Sequence, residues 1–271
     1  MRRKSLVNAL VLLTVSVIVL ICCSAICEAK WPKTSSDGQK TNSKLKVDVG
    51  NSSEGYFMAA VTSKNKHKMK LRVEKGGETL TYDLNSSGKF EVFPFQLGSG
   101  KYEISLWENV SGKKFSAAGK ISVNVKLKRE DGAFLYPNQY VNYGKNDPVV
   151  GMSLKVCRDK EGKDAYAAIK KYITENFRYD YVKAATIKPS ILPDIETCFT
   201  KKTGVCQDLS AVMVAMLRVQ GIPARLVIGY ADKIYHAWVV CEVNGKKVLF
   251  DPTAAVSKSK NAANYSVERY Y

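Results

Sequence analysis

The stretch TGVCQDLSAVMVAMLRVQGIPARLVIGY (203–230), followed four residues later by YHAWVVCEVNGKKVLFDPT (235–253), decides the fold. Leu209, Val212, Met213, Met216 and Leu217 recur at intervals of three and four, so a helix runs from about Cys206 to Gln220. Gly221 and Pro223 stop it, because glycine accepts the left-handed backbone at a helix end and proline cannot continue the ladder. Three strand-like runs follow, Arg225–Tyr230, His236–Val243 and Lys247–Phe250. Asn244-Gly245 between the last two signals a type I′ hairpin, since both residues tolerate positive φ. A helix leading into an antiparallel sheet predicts an α+β core.

The same stretch carries a reactive constellation. Cys206 starts the helix, where unpaired backbone N–H groups and the helix dipole favour a thiolate. A thiolate nucleophile needs a base, and His236 is the only histidine of this half of the chain. The base needs an acceptor that fixes its tautomer. A two-residue hairpin loop pairs positions whose numbers sum to 489, so His236 faces Thr253 and Trp238 faces Asp251. Asp251 then shares a sheet face with His236, one diagonal step away. A four-residue loop keeps that face, whereas a three-residue loop reverses it. Singly, each residue also suits a plain structural role: a packed cysteine, a core histidine, an aspartate closing a strand. Their combination in this order points to nucleophile, base and orienting carboxylate.

These linked motifs resemble the transglutaminase-like superfamily: a G-x-C helix start, G-I-P-A-R at a strand entry, H-A-W on a strand and D-P-T at a strand end. The resemblance covers about 160–255. It implies a papain-like α+β core with Cys206 as nucleophile, His236 as general base and acid, and Asp251 as the orienting carboxylate. Members include crosslinking transglutaminases, peptide-deglycosylating enzymes, proteases and some inactive proteins. Animal crosslinking enzymes place tryptophan directly after the nucleophile, where this chain has Gln207.

Around the core, Tyr166, Ile169, Ile173 and Phe177 predict a further helix over about 164–176. Asp208 falls in the first turn of the cysteine helix and complements its dipole. Arg225 is read as the partner of an internal carboxylate, and Cys241 as a buried, inert thiol. Residues 132–271 are assigned to this domain, its boundary lying in an irregular stretch at 128–150.

Upstream the period changes. Runs at 45–49, 56–62, 67–73, 79–84, 89–95, 102–107 and 115–127 alternate polar with apolar and are split by turn residues. Seven strands at this spacing predict a small all-β, sandwich-like domain over 45–131. Lys64, Lys66, Lys68, Lys70 and Arg72 share one strand face, a solvated or edge-protecting stripe, and His67, Met69, Leu71 and Val73 pack on the other. Residues 30–44 are polar and rich in serine and lysine, and read as a linker.

Residues 1–29 put Arg2, Arg3 and Lys4 before an apolar run from Leu6 to about Cys27. That is the order of a secretory signal peptide, and the run is also long enough to stay as an N-terminal anchor. Either outcome delivers the body of the protein outside the cytoplasm, secreted or anchored to the membrane.

The 271 residues carry a formal net charge of +17, and 39 basic against 24 acidic residues remain after cleavage before Lys30. The excess is mostly lysine and is spread over both halves. A nucleic-acid binder concentrates arginine and aromatics on one face, so nucleic acid is not expected as a partner. An anionic wall or membrane surface suits the charge, as does plain solubility. Four cysteines remain after cleavage, Cys157, Cys198, Cys206 and Cys241, without C-x-x-C spacing, so no metal site is expected and one disulfide is open. No phosphate loop or dinucleotide fingerprint appears, and no cofactor is expected.

Two function classes follow. One is an exported cysteine enzyme acting on amide bonds of proteins or peptides through a thioester, by protease- or amidase-like hydrolysis or by acyl transfer; Gln207 inclines the choice to hydrolysis. The other is a non-enzymatic cell-surface binding protein using the same cleft.

Overall fold

The structure, a computed structural model, describes residues 29–188 and 190–271. The expected signal or anchor lies almost wholly outside the described residues.

The first half builds two antiparallel four-stranded sheets. One joins β1 (Gln39–Asn42), β2 (Leu45–Asp48), β3 (Tyr56–Val61) and β6 (Glu91–Pro94) in that order. The other runs β5 (Glu78–Leu84), β4 (Met69–Lys75), β7 (Gly100–Ser111), β8 (Lys114–Val125). Period-two alternation turns Met69, Leu71 and Val73 of β4 inward. The sheets meet through rings: Tyr82 lies 5.3 Å from Phe93, and Tyr102 4.8 Å from Phe95.

Two expectations for this half are corrected. Residues 30–44 are not a free spacer. β1 pairs along its whole length with β2, the Ser35 N–H donates to Asp48 at 2.6 Å, and Trp31 packs edge-on against Tyr143. Every residue of β1 is exposed, so its backbone ladder and the Asn42 side chain, which accepts from the Lys120 N–H at 3.1 Å, hold it, and no hydrophobic alternation announces it. The lysine stripe is also shorter than expected. β4 begins at Met69, so Lys64, Lys66 and Lys68 lie ahead of the strand. His67 is exposed rather than packed, with Nε2 3.8 Å from Glu108.

The second half is the α+β part. Helices α1 (Pro148–Val156), α2 (Gly162–Asn176), α3 (Tyr181–Thr186), α4 (Ile195–Lys201), α5 (Cys206–Val219) and α6 (Pro252–Val256) accompany an antiparallel sheet. Its order is β13 (Lys246–Phe250), β12 (Ile234–Val243), β11 (Ala224–Ala231), β14 (Tyr265–Tyr270). A short parallel pair, β9 (Arg178–Tyr179) with β10 (Thr203–Gly204), precedes α5. Every residue of α5 from Asp208 to Val219 is buried, and the helix packs against β11, β12, α1, α2 and α4. The β12–β13 register pairs Val243 with Lys246 and Val239 with Phe250, the two-residue loop expected from Asn244-Gly245.

β14 reaches β11 unusually closely. A Cβ on Gly229 would stand 2.0 Å from the Ser266 carbonyl oxygen, so only glycine allows this approach. The halves are joined by a buried cluster running from Leu45 through both sheets to Tyr271. Arg218, fully buried, donates to the carbonyls of Ala224 (2.8 and 3.0 Å), Tyr136 (2.6 Å) and Tyr271 (2.9 Å). Tyr271 stacks on Tyr140, and the Gln96 amide donates to the Tyr270 carbonyl.

Candidate functional site

Cys206 is the first residue of α5 and is partly exposed, unlike the buried Cys157, Cys198 and Cys241. Two local devices fix the helix start. Asp208 turns back so that one carboxylate oxygen accepts from the Val205 N–H (3.0 Å) and from Lys183 Nζ (2.6 Å). The other accepts from the Asp194 N–H (3.0 Å). This fully buried carboxylate therefore complements the dipole as expected and also clamps α3 and the entry to α4 onto the cysteine loop. Gly204 is the second device: a Cβ there would lie 2.7 Å from Cys198 Sγ and 2.8 Å from Asp208 Cβ. Gln207 points its amide into the chain, donating to the Ile191 carbonyl at 2.9 Å.

His236 comes from β12, paired across to Gly229. Its Nε2 is 2.8 Å from Asp251 Oδ2, and the Cys206 sulfur interacts with the ring. Burial opposes the charged ring, but the hydrogen bonds to Asp251 and Cys206 outweigh it and raise its pKa to about 9. Asp251 is almost fully buried. Burial pushes its proton affinity up, and the bonds from His236, the Ala254 N–H (3.1 Å) and the Tyr265 hydroxyl (3.0 Å) overcome this and hold it below the ordinary carboxylate value.

The structure brings Cys206, His236 and Asp251 together, but through a different element for Asp251 than the sequence suggests. β13 ends at Phe250, and Asp251 is the N-cap of α6 rather than a strand residue. Pro252 at the first helical position, which read as a strand end, is also a helix start. Tyr265 was missed. Its hydroxyl donates to the same Asp251 oxygen that faces His236, and its ring packs 5.0 Å from the buried Trp238. Trp238 in turn lies nearly parallel to the imidazole at 6.5 Å. Arg225 is corrected too: it sits over the rings of Phe134 (4.2 Å) and Tyr270 (5.1 Å) instead of beside a carboxylate. Cys241 is buried, and burial pushes its thiol up to about 12.

Among the described residues no three His, Cys, Asp or Glu side chains converge to hold a metal ion. A groove of about 710 Å³ between α2 and the β12–β13 hairpin is lined by Tyr166, Lys170, Val243 and Lys246 and includes no member of the Cys206 site.

A cysteine at a helix start, a histidine on the neighbouring sheet and a carboxylate behind it thus meet in an α+β domain of helices and antiparallel sheet. Residues 154–252 match the sequence model of the transglutaminase-like superfamily. The uncharacterized protein YebA of Bacillus subtilis (strain 168) is 28% identical over 115 residues, 41% of this chain and 16% of that protein. The chain thus spans about a sixth of the length of that relative. Among solved structures, a protein from Cytophaga hutchinsonii described as a candidate cysteine protease is 18% identical (86% of this chain, 90% of that one, TM-score 0.40). The periplasmic domain of TgpA from Pseudomonas aeruginosa, bound to ethylmercury, is 15% identical (81% and 78%, TM-score 0.37). Red sea bream transglutaminase is 13% identical (73% and 47%, TM-score 0.30).

Proposed function

We propose that the chain is an exported cysteine enzyme that opens amide bonds of protein or peptide substrates through a thioester, with Cys206 as nucleophile, His236 as acid and base, and Asp251 as the orienting group. The observation that carries this reading is the His236 ring bonded to the buried Asp251 at 2.8 Å and interacting with the partly exposed Cys206 at the helix start. His236 takes the thiol proton, and sulfur attacks the carbonyl carbon to give a tetrahedral oxyanion facing the Cys206 N–H at the helix start. The C–N bond then breaks as the imidazolium gives its proton to the departing amine. Asp251, bonded to Nε2 at 2.8 Å, holds the imidazolium in place for this step. Water, losing a proton to His236, attacks the thioester, and the C–S bond breaks to release the acid and restore the thiol.

Hydrolysis is favoured over transfer to a second amine. Transfer needs a shielded, apolar approach to the acyl carbon, and the position after the nucleophile holds Gln207, whose amide is spent on the Ile191 carbonyl. The lysine excess keeps the enzyme near an anionic wall or membrane surface outside the cytoplasm.

The test is incubation of the protein with a panel of protein substrates and a labelled primary amine, with Cys206→Ala as control. Cys206-dependent fragments or ammonia without incorporation support hydrolysis. Cys206-dependent incorporation replaces it with transfer. Neither product over a broad panel leaves the chain a binding protein using the same cleft.

A further inference from the structure

Large apolar side chains left in water gather at this site. Among the described residues ten large hydrophobic side chains are markedly exposed, and five of them flank the cleft: Tyr181, Val182, Ile191, Ile234 and Val267. Scattered single exposures are ordinary, but a set arranged on both sides of one cleft is the mark of a binding surface.

Tyr181, Val182 and Ile191 stand on the cysteine side. Tyr181 and Val182 open α3, and the residue before them, Asp180, donates its N–H to the Gly204 carbonyl at 3.0 Å, two residues from Cys206. The Tyr181 ring lies 5.0 Å from that of Tyr179, which pairs with Gly204 across β9 and β10. Ile191 is held to the residue after the nucleophile by the Gln207 amide. Ile234 and Val267 stand on the histidine side. Ile234 precedes His236 by two positions on β12 and so shares its sheet face, about 7 Å along the strand. Val267 pairs with Gly229, which pairs with His236, so all three share one face, with Val267 two strands and about 10 Å away.

Charged neighbours of the cleft are largely engaged. Lys183 is tied to Asp208, Arg269 to Glu268, and Asp232 to the N–H groups of Ala263 and Asn264. A chain whose carbonyl reaches Sγ has one apolar group on the cysteine side and one on the histidine side to lie against. We infer that the substrate is an extended polypeptide segment with apolar side chains on both sides of the reacting carbonyl, one group seated on Tyr181, Val182 and Ile191 and the other on Ile234 and Val267. This rests on the amide-opening reading above and narrows its substrate class.

The experiment uses the full chain and two measurements. Peptides with one reacting amide, flanked by leucine, serine or glutamate on each side, are compared for Cys206-dependent turnover, and the same peptides, fluorescently labelled, are titrated against Cys206→Ala. Leucine-flanked peptides are expected to bind and turn over about tenfold better than the others, since one seated aliphatic side chain suffices for that factor. Ile234→Ser with Val267→Ser, and separately Tyr181→Ser with Val182→Ser, should each erase the preference for their own side. The substituted side chains are exposed, so thermal midpoints should stay near that of the parent and show that each variant folds. Equal binding of leucine- and serine-flanked peptides overturns the inference. So does a dimer, seen by sedimentation, that the same substitutions dissociate. Apolar-selective binding without turnover upholds the surface while removing the enzymatic reading, so the two can fail separately.

Discussion

Cys206 differs from the other described thiols in its surroundings. Cys198 and Cys241 are pushed up to about 12 by burial, whereas Cys206 is partly exposed at a helix start with an imidazole against it. Limiting iodoacetamide at neutral pH should alkylate Cys206 first, read by peptide mass mapping. His236→Ala should slow that labelling at least several-fold while the protein stays folded; labelling at the parent rate would separate the ring from the thiol. His236 also makes stability depend on pH. Between about 6.5 and about 9 the folded chain keeps a proton that the unfolded chain has released. This contribution is therefore complete below about 6.5 and lost as pH rises through about 9. The thermal midpoint should fall across that window, and the fall should be shallower in His236→Gln.

At the scale of elements, the site depends on a strand that none of its three central residues occupies. β14 brings Tyr265 to Asp251 and approaches β11 only because residue 229 has no Cβ. Tyr265→Phe should lower Cys206-dependent turnover by roughly 10–150-fold, the effect of one hydrogen bond to a charged group. It should leave the melting curve nearly unchanged. Gly229→Ala should do both, lowering turnover and destabilising the fold by about 2 kcal/mol or more, because backbone rather than a side chain must move. Similar melting curves for the two variants would sink this account. The same strand marks where sequence reading stopped. Helix α5, the β11–β12–β13 order and the hairpin register were legible because periodicity and Asn244-Gly245 are local signals. Tyr265 was not, because its partner is set by long-range pairing, and the ladder to β11 is irregular between Ile228 and Gly229, so strand parity cannot be counted. β1 was invisible because all four of its residues face water, and α1 because Pro148, at its first turn, read as part of a loop.

Across the whole molecule, the sheet-rich half and the α+β half share one buried cluster instead of meeting at a polar seam. Arg218 ties the chain at Tyr136, Ala224 and Tyr271 through their main-chain oxygens. Desolvation pulls its pKa down to about 10, which still leaves it charged at neutral pH. Calorimetry should therefore show one cooperative unfolding transition. Arg218→Met should lower that transition as a unit by several degrees, because the buried Tyr136 and Ala224 carbonyls lose their donor. Two separate transitions, only one of them moved by the substitution, would show that the halves unfold independently.

The position of Tyr265 in the chain also sets an order of assembly during synthesis. His236, Asp251 and Tyr265 emerge 30, 45 and 59 residues after Cys206. At about 5–20 residues per second, the ribosome adds the stretch from Asp251 to Tyr265 in roughly one to three seconds. Until then Asp251 lacks one of its donors, and β11 has an unpaired edge. A fully braced thiol is thus a property of chains translated past β14, and a product truncated between Asp251 and Tyr265 carries all three central residues without the support that aligns them.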